Sequence, residues 1–382
     1  MEFINKIKQN YEQWARVTPQ GLLYDRALFW LFVVLLLIGL VAVTSASMPY
    51  SARVFNDTFY FAKRDAVYVL LSLRWEKWHA KIFLLAIVLL ILVLGIGTSV
   101  NGAKRWISLG ILNFQPAEFA KLALTCFLAS YFTRRYDEVR GKKFSAVKPF
   151  IVMGVLGVFL LVQPDLGSTV VLFVITFGML FIVGANFWQF ILLIGTGILL
   201  FIWLVLSASY RLKRFTGFLE PFKDPYGTGF QLTNSLMAFG RGEISGEGLG
   251  NSIQKLDYLP EAHTDFIMAI IGEEFGFIGI LVVVILLGLL IFRAMKIGRE
   301  SLMLEQRFRG FFALGISFWI FFQGFVNLGM ALGMLPTKGL TFPLVSYGGS
   351  SIIIMSATVG ILLRIDHENR LQRGGQARLR DD

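Results

Sequence analysis

Apolar residues in this chain come in blocks too long for the core of a water-soluble domain, separated by short polar segments rich in Lys and Arg. A helix needs ~20 such residues to cross a bilayer core. Blocks of that kind lie at 27–46, 82–99, 114–133, 149–163, 168–186, 188–208, 265–292, 310–333 and 344–363, which predicts nine spans. The fourth is short, and Gln163-Pro164-Asp165-Leu166-Gly167 breaks the chain before the fifth. A further block, 66–73, is mostly apolar but would rise only about 12 Å at ~1.5 Å per residue. The fold class is therefore all-α and polytopic. Residues 1–26 form a polar N-terminal segment, 27–363 the multi-span domain with its longest external loop at 209–264, and 364–382 a C-terminal tail. That loop is amphipathic and Gly-rich and leads straight into a span; no repeat of fixed period is visible.

Composition narrows this further. The 382 residues are 55% hydrophobic and 16% charged, against ~25% charged in soluble domains; this excludes a water-soluble enzyme and a disordered chain. One cysteine, Cys126, excludes an intrachain disulfide and a Cys-rich metal site. The net charge of +11 does not point to nucleic acid, because the basic residues sit in loops between spans, where topology accounts for them. Of the 36 Lys and Arg, 23 fall in 1–26, 74–81, 134–148, 293–309 and 364–382, and 12 in the alternate segments. The first set is expected to be cytoplasmic. If 66–73 does not cross, the N-terminus moves outside and the split becomes 22 to 13, so charge leaves N-terminal sidedness open. The run at 27–46 is too long for a signal-peptide core and reads as a retained anchor, although Ser45-Ala46-Ser47 resembles a cleavage site.

A charge at bilayer depth is costly, which makes intramembrane ionisable groups functional candidates. Glu118, Lys121, Asp265, Glu273 and Glu274 qualify. Glu118 follows Pro116, Asp165 follows Pro164 and Glu261 follows Pro260, an arrangement that also suits the first turn of a helix. Three such acids on the external side suggest a polar cavity opening outward. Glu118 and Lys121, three residues apart, could equally form an ion pair. Asp265 heads an apolar helix whose Ala269, Gly272, Gly276 and Gly279 share its face, so it points into protein. Desolvation disfavours a charged carboxylate, which suits a general base; the plainer role for Asp265 is an N-cap. Glu273 and Glu274 lie on other faces, and a salt bridge near mid-helix is their plainer reading.

Weaker signals surround these. Gly246-Glu247-Gly248-Leu249-Gly250 mimics a dinucleotide fingerprint but follows no strand. The three His are scattered, without zinc spacing. Lys338 in a short external loop is either an anion contact or a solvated turn. Arg105-Trp106 reads by default as an interface anchor. Ser346 to Ser351 begins the last span with glycines and hydroxyls, which predicts a bent or closely packed helix.

Lys63-Arg64-Asp65, Asn101 to Trp106, Gln115-Pro116-Ala117-Glu118, Gln163 to Gly167, Leu259 to Phe266 and Met334 to Ser351 together resemble the SEDS family (shape, elongation, division, sporulation). Tyr24-Asp25-Arg26, Thr44 to Ser47 and Ala238 to Gly242 are more similar to its division branch than to its elongation branch. The resemblance implies a ten-helix inner-membrane protein with cytoplasmic termini that polymerises the lipid-linked disaccharide-peptide lipid II at the division septum. It implies that Asp265 is the essential acid, that Arg105, Lys121 and Lys338 serve function or substrate contact, and that Glu118 and Asp165 line the cavity. A divalent cation, Mg or Mn, with the lipid pyrophosphate and a class B penicillin-binding protein partner (FtsI), beside other division proteins, are also implied. The block at 66–73, where the family's second helix belongs, is roughly a dozen residues short of a span. A lipid II flippase and a non-catalytic division scaffold are the competing readings.

Overall fold

Each of the nine predicted apolar blocks forms a helix. The structure, a computed structural model, describes residues 25–55, 78–100, 103–108, 113–141, 145–207, 216–336 and 339–381. The block at 66–73 and Lys338 lie outside the described residues. The helices are α1 (Arg26–Phe55), α2 (His79–Ile96), α3 (Pro116–Arg134), α4 (Tyr136–Gly141), α5 (Val147–Val162), α6 (Leu166–Val183), α7 (Phe187–Leu206), α8 (Phe230–Gly242), α9 (Ile267–Met303), α10 (Arg307–Ala331) and α11 (Gly349–Asp381). Between α2 and α3 the chain forms a small antiparallel sheet of β1 (Thr98–Val100), β2 (Ala103–Ser108) and β3 (Asn113–Phe114), with Ile107 opposite Phe114.

Six of the described helices are long and apolar enough to cross a membrane. α3 is not among them, and its position explains why. It is buried along most of its length, from Pro116 to Phe132, so protein rather than lipid surrounds it and small and polar residues are tolerated. α2 and α7 show the opposite: Leu84, Ile91 and Ile96, and Leu199, Trp203 and Leu206, are exposed, as lipid-facing surfaces require. The core follows α10, which packs against α9 on one side and α3 on another, around Leu122, Leu128, Ile270, Phe312 and Trp319.

Helix ends depart from the hydropathy pattern. α9 runs to Met303 and α10 starts at Arg307, so the predicted polar segment 293–309 is mostly helix. α11 continues through the polar stretch after 363 to Asp381. These extensions are held by polar pairs across helices: Arg293 with Asp25 at 3.5 Å, Arg309 with Glu368 at 2.8 Å, and Arg373 with Glu300 at 2.9 Å. Asn369 donates to the Ser301 hydroxyl at 2.8 Å. Hydropathy marks where apolar surface stops, not where backbone hydrogen bonding stops.

α9 is also discontinuous. Gly276 has φ 64 and ψ −163, which breaks the helix into two halves. The segment 243–248 fills the break with its own backbone: Glu247 and Gly248 N–H donate to the carbonyls of Glu273 and Glu274, and Phe277 and Ile278 N–H donate to those of Glu243 and Ile244. Gly276 allows this approach, since a Cβ there would lie 2.4 Å from the Ile244 oxygen. Segment 243–248 is thus a strap docked into a helix break, and the resemblance of 246–250 to a nucleotide loop has no structural counterpart.

Candidate active site

The turn 261–266 leads into α9, whose first helical residue is Ile267 with Phe266 at the cap. Asp265 therefore sits one residue before the cap, and the face argument for it changes. Every side chain from Phe266 to Glu274 is buried, not a single stripe, and the break at Gly276 resets the phase before Gly279. Glu261 does not start the helix either; it is exposed and accepts from the Thr264 hydroxyl at 2.7 Å.

Two neighbours hold this turn. The Asn327 amide of α10 donates to the Asp265 carbonyl at 2.8 Å, and Tyr347 N–H donates to the His263 carbonyl at 2.9 Å. The Asp265 carboxylate faces Gly339, where a Cβ would lie 3.3 Å from Oδ2. His263 is largely buried, and loss of water pushes its imidazole below the usual histidine range, opposed by the weaker pull of Glu261.

The segment that begins at Gly339 is the hub of the site. Leu340, Phe342, Leu344, Val345 and Ser346 are buried although the chain there is neither helix nor strand. Buried irregular backbone at membrane depth needs partners, and side chains supply them. Asn327 donates to the Leu340 carbonyl at 2.5 Å, Gln323 to the Thr341 carbonyl at 3.0 Å, and the Ser346 hydroxyl accepts from Phe342 N–H at 2.7 Å. Gly167, at the start of α6, lets the Leu340 side chain come within 3.3 Å of its Cβ position. The last helix therefore begins only at Gly349, and the first part of the Ser346 to Ser351 string, expected to open a bent or closely packed helix, is irregular chain instead.

Glu118 and Lys121 reach the same hub from α3. Their ion pair is 2.8 Å long and buried at both ends. Lys121 also donates to Gln323 Oε1 at 2.9 Å, and the Trp319 indole donates to that same oxygen at 2.8 Å. That leaves the Gln323 amide nitrogen aimed at Thr341, so the network itself orients the amide. Lys121 therefore acts on the hub through Gln323. Glu118 Oε2 and Asn327 Oδ1 are buried with no partner among the described residues.

Arg105 and Asp165 occupy a neighbouring corner. Asp165 is the N-cap of α6 and accepts from Ser168 N–H at 3.1 Å. Arg105, on β2, donates to the carbonyls of Gln163 at 3.1 Å and Pro164 at 2.5 Å, which ties the sheet to the α5–α6 turn. Glu273 and Glu274 have the separate partners expected of structural charges. Glu273 accepts from Arg241, Ser252 and the backbone of Ile253 and Gln254. Glu274 accepts from Ser45 at 2.7 Å and Lys255 at 2.7 Å. The described residues contain no group of three His, Cys, Asp or Glu able to hold a metal ion. Gln323, Asn327 and Thr341 are absent from the sequence-derived candidates. Two amides one turn apart in an apolar helix were the available signal.

The family model of cell cycle proteins that groups FtsW, RodA and SpoVE matches residues 26–371. The chain belongs to this family. Among members of the FtsW/RodA/SpoVE family, it is 83% identical to the probable peptidoglycan glycosyltransferase FtsW of Haemophilus influenzae, with 100% of both chains covered. It is 54% identical to the protein of the same name from Escherichia coli O157:H7, over 93% of this chain and 89% of that one. The first alignment spans 394 residues, twelve more than the 382 of this chain. The fold is similar to a solved chain of a peptidoglycan synthase complex, described as coordinating polymerization and crosslinking (TM-score 0.72, 30% identity, 92% of this chain and 99% of that one). It is also similar to the rod shape determining protein RodA of Thermus thermophilus (TM-score 0.63, 28% identity, the same coverage). The helical SEDS-type architecture and a multi-pass membrane placement follow.

Proposed function

We propose that the chain is a peptidoglycan glycosyltransferase that polymerises lipid II into β-1,4-linked glycan on the outer face of the inner membrane, with Asp265 as general base. The observation that carries this reading is the seating of the Asp265 carboxylate against Gly339, in a turn pinned by α10. It is supported by 83% identity to a protein named for that activity.

The chemistry requires one base. The C4 hydroxyl of the acceptor GlcNAc gives its proton to Asp265 as its oxygen bonds to C1 of the donor MurNAc. The bond from C1 to the undecaprenyl pyrophosphate breaks, and the pyrophosphate leaves with the electron pair. A single displacement inverts C1 and needs no enzyme-bound sugar. Lys338, the residue before Gly339, and Arg105 are the cations assigned to the pyrophosphate's growing charge. Lys121, Glu118 and Asp165 contribute by shaping the hub that the substrate meets. A divalent cation, Mg²⁺ or Mn²⁺, would accompany the substrate's pyrophosphate and offset its negative charge. We assign the chain a class B penicillin-binding protein partner and a place at the division septum. A flippase would use the break in α9 as a polar gap, but the strap's backbone fills that gap.

The test is glycan polymerisation from purified lipid II with the cognate penicillin-binding protein, comparing the parent with Asp265→Asn. Polymer from the parent and none from an equally folded variant supports the reading. Equal polymer from both removes Asp265 from catalysis. Lipid II transfer across vesicles without polymer would favour the flippase.

A further inference from the structure

We propose that Asn327 is a positioning residue that locks the Asp265 turn to the 339–342 segment, with Gln323 supporting the same segment one turn earlier; this rests on the role assigned to Asp265 above. An amide nitrogen carries two hydrogens, and Asn327 uses them on two different pieces of chain. One goes to the Asp265 carbonyl at 2.8 Å and the other to the Leu340 carbonyl at 2.5 Å. The side chain is 0% exposed, so water cannot substitute for either bond.

The same residue also carries a cost. Its Oδ1 is buried with no partner among the described residues, and an unmatched buried acceptor is unfavourable. A leucine of similar shape would remove that defect but leave the Asp265 and Leu340 carbonyls without their donor. What an amide supplies, and leucine does not, is the pair of donors that fix where Asp265 sits relative to Gly339. Gln323, four residues earlier and on the same face, holds Thr341 in the same manner and links it to the Lys121–Glu118 pair. α10 is thus a rack: two amides at one-turn spacing hold consecutive carbonyls of the irregular segment, and one of them also holds the turn that carries the acid.

The test uses the full chain in detergent with its penicillin-binding partner and lipid II. Asn327→Leu keeps volume and removes both donors; Asn327→Asp keeps shape and turns the donor into an acceptor facing two carbonyls. Both are expected to lower kcat about tenfold to a hundredfold, the scale of a misplaced catalytic group, with KM within about twofold. Hydrogen exchange should quicken in peptides covering 259–266 and 339–348, and not in 230–242. An unchanged kcat in both variants, a rise in KM alone, or exchange that rises equally everywhere would overturn the proposal. If the parent and Asp265→Asn make equal polymer, the reading of Asp265 fails. The exchange measurement then decides the lock by itself, since unchanged exchange at both segments overturns it.

Discussion

Asp165 and Glu273 are both buried acids in an apolar bundle, and each is held by donors that leave it a structural role: a helix N-terminus for one, Arg241 with two backbone N–H groups for the other. Glu118 differs, because Lys121 engages only one of its oxygens. Removing one partner of a buried pair leaves an uncompensated charge, a loss of roughly 3–5 kcal/mol, whereas removing both is far less damaging. Lys121→Met should therefore lower Tm sharply in detergent, and Glu118→Gln added to it should recover most of the loss. His263 yields a pH prediction. Its pKa is held below the usual value by burial, so as pH falls through ~6.5 the unfolded chain takes up the proton first. Stability should decline below about pH 6.5 until folded His263 also protonates, and His263→Gln should flatten that part of a Tm-against-pH curve. A flat curve for the parent would contradict it. The types of these residues were legible in the sequence; which oxygens were taken was not, because partners such as Ser252, Ser45 and Gln323 lie on other elements.

At the scale of elements, the broken α9 and its strap form one device, and glycine is what permits it. Gly276 combines a positive φ with a Cβ position 2.5 Å from Gly246 N. Gly288, further along the same helix, meets nothing within 4 Å. Gly276→Ala should abolish folded protein on size exclusion in detergent, through strain and collision with the strap. Gly288→Ala should be neutral or raise stability by about 0.4–1 kcal/mol. Equal behaviour of the two would mean that the strap is not docked. Periodicity located α9 but not its break: a glycine inside an apolar run reads the same whether it packs closely or turns the chain.

The whole molecule offers a single built-in reporter. Cys126 is the one cysteine of the chain and is buried in α3, at the centre of the bundle. Maleimide labelling should be slow in the native state and complete on denaturation, and its rate should track global opening. Lys121→Met should speed it, whereas a substitution at lipid-facing Leu199 should not; fast labelling of the native parent would show that α3 is not central. The polar pairs that join α1, α9, α10 and α11 at the predicted cytoplasmic end hold four helices whose apolar parts alone specify no register.

Apolar blocks, their number and the basic-residue bias are determined locally, because burial in lipid depends on composition over ~20 residues. The sequence thus determined the helices, the membrane placement and, through long ordered motifs, the family. Only the tertiary structure decided that Lys121 addresses Gln323, that Asp165 caps a helix, that the strap closes a break in α9, and that Asn327 joins Asp265 to Leu340. Those are contacts between residues tens to hundreds of positions apart, and a buried hydrogen bond is defined by where two groups meet rather than by what either one is.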